Sequence, residues 1–359
     1  MIPAAKPLIG DEERAAVDRV LRSGMIAQGP EVAAFEQEFA EQMVGGRTCV
    51  AVNAGTAGLH LGLLAAGIGA GDEVIVPSFT FAATANSVAL TGATPVFADI
   101  DPVTYCLDPA SVEAAITEHT AGIMPVHLYG HPADVTALGA IAAKHGLQLF
   151  EDAAQAHGAT WQGAPVGSFG TFGMFSLYPT KNMTSGEGGM VSCATPEVAR
   201  MVRLLRNQGM ERRYENEVVG FNTRMTDIAA AIGRVQLTKV GAWTATRQAN
   251  AAFLSAHLTG VTVPTVAAGA THVWHQYTIR VTEDRDGFAK ALADEHGVGS
   301  GVYYPIPNHQ LPSFGLTFDL PATAEACAQV LSLPVHPALS QDDLEQIVTA
   351  VNTVAKAGA

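Results

Sequence analysis

Residues 49–76 read CVAVNAGTAGLHLGLLAAGIGAGDEVIV. The apolar run Cys49–Val52 predicts a buried strand, Ala57–Ala66 predicts a helix, and Glu73–Val76 predicts a second strand. Strands that are apolar throughout and alternate with helices are typical of a sheet whose two faces are both covered by helices. The segment therefore predicts an α/β fold.

The same alternation extends on both sides of this segment. Upstream, a helix is predicted at Glu12–Leu21, because acidic residues suit its start and Ser23-Gly24 its end. Downstream, the predicted strands are Pro95–Ala98, Ile123–His127, Leu147–Phe150, Phe172–Leu177 and Met190–Cys193. The predicted helices there are Ala82–Leu90, Ser111–Glu118, Val135–His145, Glu197–Asn207 and Met225–Leu258.

The last third of the chain predicts a smaller α+β unit. Its predicted elements are strand Gln276–Val281, helix Gly287–His296, strand Val298–Tyr303 and helices Ala322–Val330 and Gln341–Val354. We expect the boundary near residues 241–260 and divide the chain into a large domain, residues 1–245, and a small C-terminal domain, residues 246–359.

Composition limits the classes of function. The chain has 359 residues, 48% of them hydrophobic and 15% charged, which predicts a folded protein with a substantial core. Its net charge of −14 argues against a nucleic-acid partner. Four cysteines far apart suggest neither a zinc site nor disulfides. With no signal peptide and no membrane span recognised, we expect a cytoplasmic protein.

One of the six lysines differs in its context. Lys181 follows the predicted strand Phe172–Leu177 in a glycine-rich segment that ends at Gly189. The carboxyl end of a strand is where α/β sheets bind ligands, and a lysine amine there can form a Schiff base or act as a base. A surface lysine in a turn is the alternative, and this segment alone favours neither a functional lysine nor a surface one.

Asp152 ends a second hydrophobic strand, in the sequence GLQLFEDAAQAHG of residues 146–158. A buried carboxylate needs a cationic or hydrogen-bond-donating partner, and the pyridinium nitrogen of pyridoxal phosphate is one. An aspartate that caps the next segment is the alternative. Since Lys181 also follows a predicted strand, the pair favours a joint role.

A phosphate site is predicted where the first strand meets its helix, at Gly55, Thr56 and Ala57. Backbone N–H groups at a helix start bind phosphate, and glycine permits close approach of the backbone. The hydroxyl of Ser176 can add to this site. Phe81 follows the strand Glu73–Val76 and can stack on a planar cofactor, although a core position is the more common role.

Five segments, in this order, resemble the DegT/DnrJ/EryC1/StrS aminotransferases, which are fold-type-I pyridoxal-phosphate enzymes acting on nucleotide-linked keto sugars. The segments are AGTAG (54–58), PSFTFA (77–82), EDAAQAH (151–157), SLYPTKN (176–182) and GFNTRMTD (220–227). The resemblance implies a large domain with a mostly parallel sheet between helices and a smaller C-terminal domain.

The resemblance also implies residue roles. Lys181 corresponds to the Schiff-base lysine, Asp152 to the carboxylate on the pyridine nitrogen, and Gln155 to the group near the phenolic oxygen. Phe81 corresponds to the stacking aromatic residue. The phosphate ligands correspond to Gly55, Thr56, Ala57, Ser176 and, from the neighbouring subunit, Asn222.

Further implications concern the substrates. The family pattern implies L-glutamate or glutamine as donor, pyridoxamine phosphate as intermediate, no metal, and a homodimer with shared active sites. The sugar-binding candidates are Tyr178, Arg224, Tyr303, Tyr304 and His309. A basic patch for the nucleotide could come from the arginines at 203, 206, 212, 213 and 224, with surface ion pairs as the alternative.

The position of amination is also addressed by resemblance. Gly186–Gly189 (GEGG) and Arg224–Asp227 (RMTD) look more like enzymes that aminate C4, which favours a dTDP- or UDP-linked 4-keto-6-deoxy hexose. A C3-keto-sugar or cyclitol aminotransferase is the alternative within the enzyme class. A pyridoxal-phosphate-binding regulator is the alternative of another class. A dehydratase of the same fold is disfavoured, because such relatives have histidine at the position of Lys181.

Overall fold

The structure, a computed structural model, describes residues 1–357. The larger part of the chain contains strands β1 Thr48–Val52, β2 Glu73–Pro77, β3 Thr94–Ala98, β4 Thr120–Ile123, β5 Gln148–Asp152, β6 Thr160–Trp161, β7 Ala164–Pro165, β8 Phe172–Ser176 and β9 Gly189–Cys193. Its helices are α1 Asp11–Ser23, α2 Pro30–Met43, α3 Gly55–Ala65, α4 Ala83–Leu90, α5 Pro109–Ala115, α6 Val135–His145 and α7 Pro196–Arg206.

The remaining elements begin with the long helix α8 Asp227–His257. They continue with β10 Ala270–Thr271, β11 Tyr277–Arg280, α9 Arg285–His296, α10 Pro321–Gln329, β12 Val330–Leu333 and α11 Gln341–Ala357. None of the helices in residues 1–357 combines the length and apolar character of a membrane-spanning segment.

Seven strands form one sheet in the order β1-β9-β8-β5-β4-β2-β3. Strand β9 runs antiparallel to β1 and β8, and all other neighbouring strands are parallel. The carboxyl ends of β1, β8, β5, β4 and β2 therefore meet at one edge. This sheet confirms the predicted α/β class.

Helices cover both faces of the sheet, as the apolar strands require. One face packs against α3, α4 and α7, through core residues such as Leu61, Val88 and Val202. The other face packs against α2 and α8 at one end and α5 and α6 at the other. Asp152 and the Lys181 loop follow strands in the middle of this sandwich, where both faces are covered.

A separate core lies toward the C-terminus. It joins the antiparallel β11–β12 pair, α9, α11 and the second half of α8, and it includes Ile2 from the N-terminus. The expected domain division at residue 245 falls inside α8, whose Leu237 packs in the sheet core and whose Leu254 packs in this one. The division into a large and a small domain stays a proposal.

One helix was missed and two sequence predictions were wrong. Helix α2 was not predicted, although Pro30 suits a first helical position and Val32, Phe35 and Phe39 are buried. The strand expected at Ile123–His127 ends at Ile123. Pro125 follows within the expected range and has no N–H for the ladder.

The second wrong prediction is the strand at Val298–Tyr303. Val298 and Gly301 form only isolated bridges, to Ile2 and Ser332, whereas the paired strand of this region is β12. The sequence Val298–Tyr303 is rich in β-branched and aromatic residues, but β11 is paired instead with β12.

Candidate active site

Two neighbouring parallel strands bring Asp152 and Lys181 to the same edge of the sheet. Asp152 is the last residue of β5 and pairs with Met174 of β8. Strand β8 ends at Ser176, and the following loop carries Lys181. The structure therefore brings together the two residues that the sequence singled out separately.

Asp152 is buried, with 4% of its surface exposed. Its Oδ2 accepts a hydrogen bond from the Thr84 hydroxyl at 2.8 Å, and its Oδ1 accepts one from the backbone N–H of Ala154 at 3.1 Å. Burial raises the pKa of the carboxyl above its usual range, and the Thr84 hydrogen bond and the Lys181 charge oppose this. Within residues 1–357 this carboxylate has no ion-pair partner, so a protonated ring nitrogen would complete it.

Lys181 is half-buried at this edge. Burial lowers the pKa of its amine to about 8, and the nearby Asp152 carboxylate opposes the shift. Most of these amines still carry the proton at pH 7, but the lowered pKa makes the neutral form, which a nucleophile or a base requires, more accessible than in an ordinary lysine.

The cofactor-free Lys181→Met protein is expected to be more stable than the cofactor-free wild type at pH 7, by about 2–3 kcal/mol. The folded chain holds the lysine proton less tightly than the unfolded chain, whose pKa is near 10.5. Wild-type stability should therefore rise between about pH 8 and 10.5, and the difference between the two proteins should shrink. Urea unfolding of both proteins at pH 7 and pH 10 measures their free energies of unfolding and the difference between them. An equal difference at the two pH values would contradict the lowered pKa.

Gln155 is fixed by two hydrogen bonds. Its Oε1 accepts from the backbone N–H of Tyr129 at 2.7 Å, and its Nε2 donates to the Tyr304 hydroxyl at 2.7 Å. Tyr304 adopts a left-handed backbone conformation with φ of 59°, which is uncommon for a non-glycine residue. Tyr303 lies beside it, half-buried. One amide hydrogen of Gln155 is left for a ligand.

The start of α3 fits a phosphate group. Ala54 provides no side-chain cap, and the backbone N–H groups of Gly55, Thr56 and Ala57 make no hydrogen bond to any described residue. A methyl group at Gly55 would lie 3.0 Å from Cβ and 3.2 Å from Oγ of Ser176. The Ser176 side chain therefore lies beside a helix start with three free N–H groups, an arrangement that suits the phosphate of pyridoxal phosphate.

Other candidates lie on the surface. Phe81 has 63% of its surface exposed, and Asn222 and Tyr178 are also exposed. Arg224 is half-buried beside the end of β1, because it bridges to Val52 and donates to Oδ1 of Asn207 at 2.9 Å. Phe81 and Asn222 thus offer their side chains outward, where a second subunit could meet them.

His309 has a different setting. Its ring is buried, Nδ1 lies 2.7 Å from the Ser78 hydroxyl, and it packs against Phe97 and Phe318. Its Nε2 is buried with no hydrogen-bond partner among residues 1–357. His309 is therefore buried behind the end of β2, and its ring is not exposed at the surface of the protein.

The arginine-rich segment is partly structural. Arg206 is buried and donates to Glu36 and to the carbonyl of Ala51, each at 2.6 Å. Arg203 also lies near Glu36, at 4.0 Å. The ion-pair alternative therefore applies to these two. Arg212 and Arg213 are exposed, and Arg213 stacks over Tyr214.

Several supporting residues were not predicted. Thr84 gave no signal in the sequence. Glu151 is buried beside Asp152, where it lies 3.1 Å from His127 and accepts backbone hydrogen bonds from Gly167 and Phe169. A charged residue in an apolar strand was the available signal for Glu151. In residues 1–357 no cluster of His, Cys, Asp or Glu is arranged to hold a metal ion.

Comparison with known proteins agrees with this geometry. The sequence profile of the DegT/DnrJ/EryC1/StrS aminotransferase family matches residues 7–352. The chain is 44% identical to the erythromycin biosynthesis sensory transduction protein EryC1 of Saccharopolyspora erythraea, over 95% of this chain and 93% of that one. It is 42% identical to the dTDP-3-amino-3,4,6-trideoxy-α-D-glucose transaminase of Streptomyces venezuelae, over 98% of this chain and 94% of that one.

A solved structure gives the same result. The crystal structure of S. venezuelae DesV in complex with a ketimine intermediate is 40% identical and superposes with a TM-score of 0.93, covering 99% of each chain. The chain belongs to the DegT/DnrJ/EryC1/StrS aminotransferase family.

Proposed function

We propose that this protein transfers the amino group of L-glutamate to a keto carbon of a nucleotide-linked sugar, with pyridoxal phosphate as its cofactor. The observation that carries the proposal is the meeting of Lys181, the unpaired buried carboxylate of Asp152 and the free helix start at Gly55 on one edge of the sheet. When bound, the cofactor supplies an aldehyde that takes up the amine and a ring that accepts electrons from a breaking C–H bond.

The residues of this chain would hold the cofactor at three points. The N–H groups at the start of α3 and the Ser176 hydroxyl bind the phosphate. The Asp152 carboxylate keeps a proton on the ring nitrogen, because a buried anion favours the cationic form of a group beside it. Gln155, fixed by Tyr129 and Tyr304, turns its remaining amide hydrogen toward the phenolic oxygen.

Lys181 moves the proton. Once its Nζ is free and neutral, it can take a proton from the carbon that gives up the amine and return that proton to the carbon that receives the amine. A pKa of about 8 is suited to both directions, because the amine neither holds the proton too tightly nor fails to accept it.

We also propose a homodimer with shared active sites. Support comes from the exposure of Phe81 and Asn222, together with exposed apolar residues at Met25, Ile26 and Val219. Exposed apolar side chains such as these become buried when a second subunit covers them. Asn222 of one subunit would then reach the phosphate held by the other.

Subunit mixing tests the shared site. Lys181→Ala and Asn222→Ala proteins, each weak alone, should regain about a quarter of wild-type activity when mixed in equal amounts, because half of the dimers then carry one intact site. Exchange is verified by a mass tag, and Lys181→Ala mixed with itself is the control. A mixture as inactive as its parents, despite proven exchange, would place Asn222 within its own site.

The position of amination is the finer question. The sequence segments GEGG (186–189) and RMTD (224–227) favour C4. However, the Asp227 carboxylate accepts hydrogen bonds from the backbone of Gly29 and Val32 and thus holds the start of α2. The aspartate of the RMTD segment therefore has a structural role, which weakens its use as a marker of the aminated carbon. The S. venezuelae relative is named as a 3-amino-sugar transaminase, which favours C3 as the second candidate. The proposed substrates are therefore dTDP- or UDP-linked sugars with a keto group at C4 or at C3.

Product analysis distinguishes these functions. The protein is incubated with pyridoxal phosphate, L-glutamate and a panel of dTDP- and UDP-linked keto sugars, and the amino sugar is identified by NMR. We expect conversion of at least one substrate, with amine at C4 or at C3. Cofactor binding without conversion of any sugar or cyclitol ketone would favour a regulator, a role in keeping with the name of the EryC1 relative, a sensory transduction protein.

A further inference from the structure

Two buried titratable side chains beside the site have no part in the proposed chemistry. Glu151, the neighbour of Asp152 on β5, and His127, which follows β4, are each 0% exposed. Nε2 of His127 lies 3.1 Å from Oε2 of Glu151. Burying such a pair is unfavourable unless both members are hydrogen-bonded, so their other contacts indicate what the pair holds in place.

Glu151 is held as a carboxylate. Its Oε2 accepts from the backbone N–H of Gly167 at 2.6 Å, and its Oε1 accepts from those of Phe169 at 2.7 Å and Gly170 at 3.0 Å. Burial alone would raise the pKa of Glu151, but the hydrogen bonds from His127 and from the backbone lower this pKa below its usual range. An ionised carboxylate can only accept, so the hydrogen between the two side chains lies on Nε2 of His127.

This tautomer leaves Nδ1 of His127 as an acceptor. Nδ1 accepts from the backbone N–H of Ala133 at 3.0 Å, which closes the turn of residues 127–133. The backbone N–H of His127 donates to the carbonyl of Asp152 at 3.0 Å, so the turn is also tied to β5. Within the turn, Tyr129 has a left-handed φ of 58°. A residue other than glycine keeps that conformation only where its surroundings enforce it.

The turn presents one hydrogen-bond donor to the site. The backbone N–H of Tyr129 donates to Oε1 of Gln155 at 2.7 Å, and this bond decides which end of the Gln155 amide faces the other way. Nε2 of Gln155 then donates to the hydroxyl of Tyr304, whose ring stacks on that of Tyr129 with 14° between the ring planes. The direction of the free amide hydrogen of Gln155 therefore depends on the turn that His127 closes.

We propose that His127, oriented by Glu151, is a positioning residue for the contact of Gln155 with the cofactor. The inference rests on the proposed function, in which the free amide hydrogen of Gln155 meets the phenolic oxygen. Glu151 fixes the tautomer of His127, His127 closes the turn, and the turn places the N–H of Tyr129 against Gln155. Neither Glu151 nor His127 has to touch the cofactor for this role.

A double-mutant cycle tests the proposal. The probe is pyridoxamine phosphate, which carries the phenolic oxygen and binds without a covalent bond to Lys181, and calorimetry measures its affinity for the cofactor-free protein. The amide of His127→Gln can still donate to Glu151 but leaves Ala133 without an acceptor at the place of Nδ1. We expect binding about threefold to tenfold weaker, the range for one hydrogen bond. In the Gln155→Ala background the same substitution should change the affinity by less than about twofold.

A matched pair of acid-to-amide substitutions separates positioning from stability. Glu151→Gln should weaken binding of pyridoxamine phosphate as His127→Gln does. Asp227 is also a buried carboxylate that accepts backbone hydrogen bonds, and within residues 1–357 its side chain contacts no residue assigned to the cofactor by a hydrogen bond. Asp227→Asn should lose stability and keep an affinity within about twofold of wild type. An equal loss of affinity in Asp227→Asn would trace the effect to lost stability and overturn the assignment.

Hydrogen exchange gives a second readout that needs no variant of His127. If the turn and the cofactor act on each other through Gln155, pyridoxamine phosphate must slow exchange of the amide hydrogens in residues 128–133. We expect this protection in the wild type and not in Gln155→Ala.

Three results would overturn the proposal: equal affinity of wild type and His127→Gln, an equal loss of affinity with and without Gln155, or protection of the turn that persists in Gln155→Ala. Failure of the wild type to bind pyridoxamine phosphate would instead overturn the proposed function, on which this inference rests.

Discussion

The Lys181→Ala protein is expected to lose turnover by at least about 10⁴-fold, the upper range for a positioned proton-transfer group. The loss has two causes. The alanine protein cannot form a covalent bond to the cofactor, and it has no amine at this position to move the proton between the two carbons. Its fold should persist, because Lys181 lies in a loop and forms no ion pair with the residues that the structure describes.

The measurement is the steady-state rate with glutamate and a converted keto sugar, alongside the absorption spectrum of the bound cofactor. Lys144→Ala is the control, since Lys144 is an exposed lysine in the last turn of α6 that pairs with Glu113. It should keep wild-type activity. A Lys181→Ala rate within tenfold of wild type would show that another group does the chemistry.

The Asp152→Asn protein is expected to lose about 10²–10³-fold in rate, in both half-reactions. The substitution removes the negative charge while keeping the shape and the hydrogen bond from Thr84. The ring nitrogen then loses the partner that keeps it protonated, and the charge that develops during C–H cleavage is less stabilised. Both half-reactions should suffer, because both pass through that charge.

Single-turnover rates with glutamate and with the keto sugar measure this effect separately for each half. Asp108→Asn is a suitable control, because Asp108 is an aspartate that caps α5 away from the site. It should leave both rates unchanged. A fall in only one half-reaction, or a rate near that of wild type in both, would contradict the role given to Asp152.

The parts of the fold that local pattern determines could be predicted. Apolar runs separated by helical segments gave the sheet class, and α6 was predicted with its observed bounds at Val135 and His145. Helix α2 was missed although Pro30 and the spacing of its buried residues are local signals, and the anchor of its start, Asp227, lies nearly 200 residues away along the chain. The false strand at residues 298–303 could not be excluded from the sequence, since pairing with β11 depends on which segment reaches β11 in three dimensions.

The site shows the same division. Because the carboxyl ends of parallel strands share an edge, the sequence could predict that Asp152 and Lys181 lie close together. It could not predict the contacts that orient them. Thr84 reaches Asp152 across 68 residues of chain, and Tyr304 reaches Gln155 across 149.

Chemical trapping tests the central claim most directly. The protein is loaded with pyridoxal phosphate, reduced with borohydride, digested and analysed by mass spectrometry. The account predicts a phosphopyridoxyl group on the peptide that contains Lys181, and its absence from the reduced Lys181→Ala protein. A modification on any of the other five lysines in place of Lys181, or none in the wild type, would contradict the account.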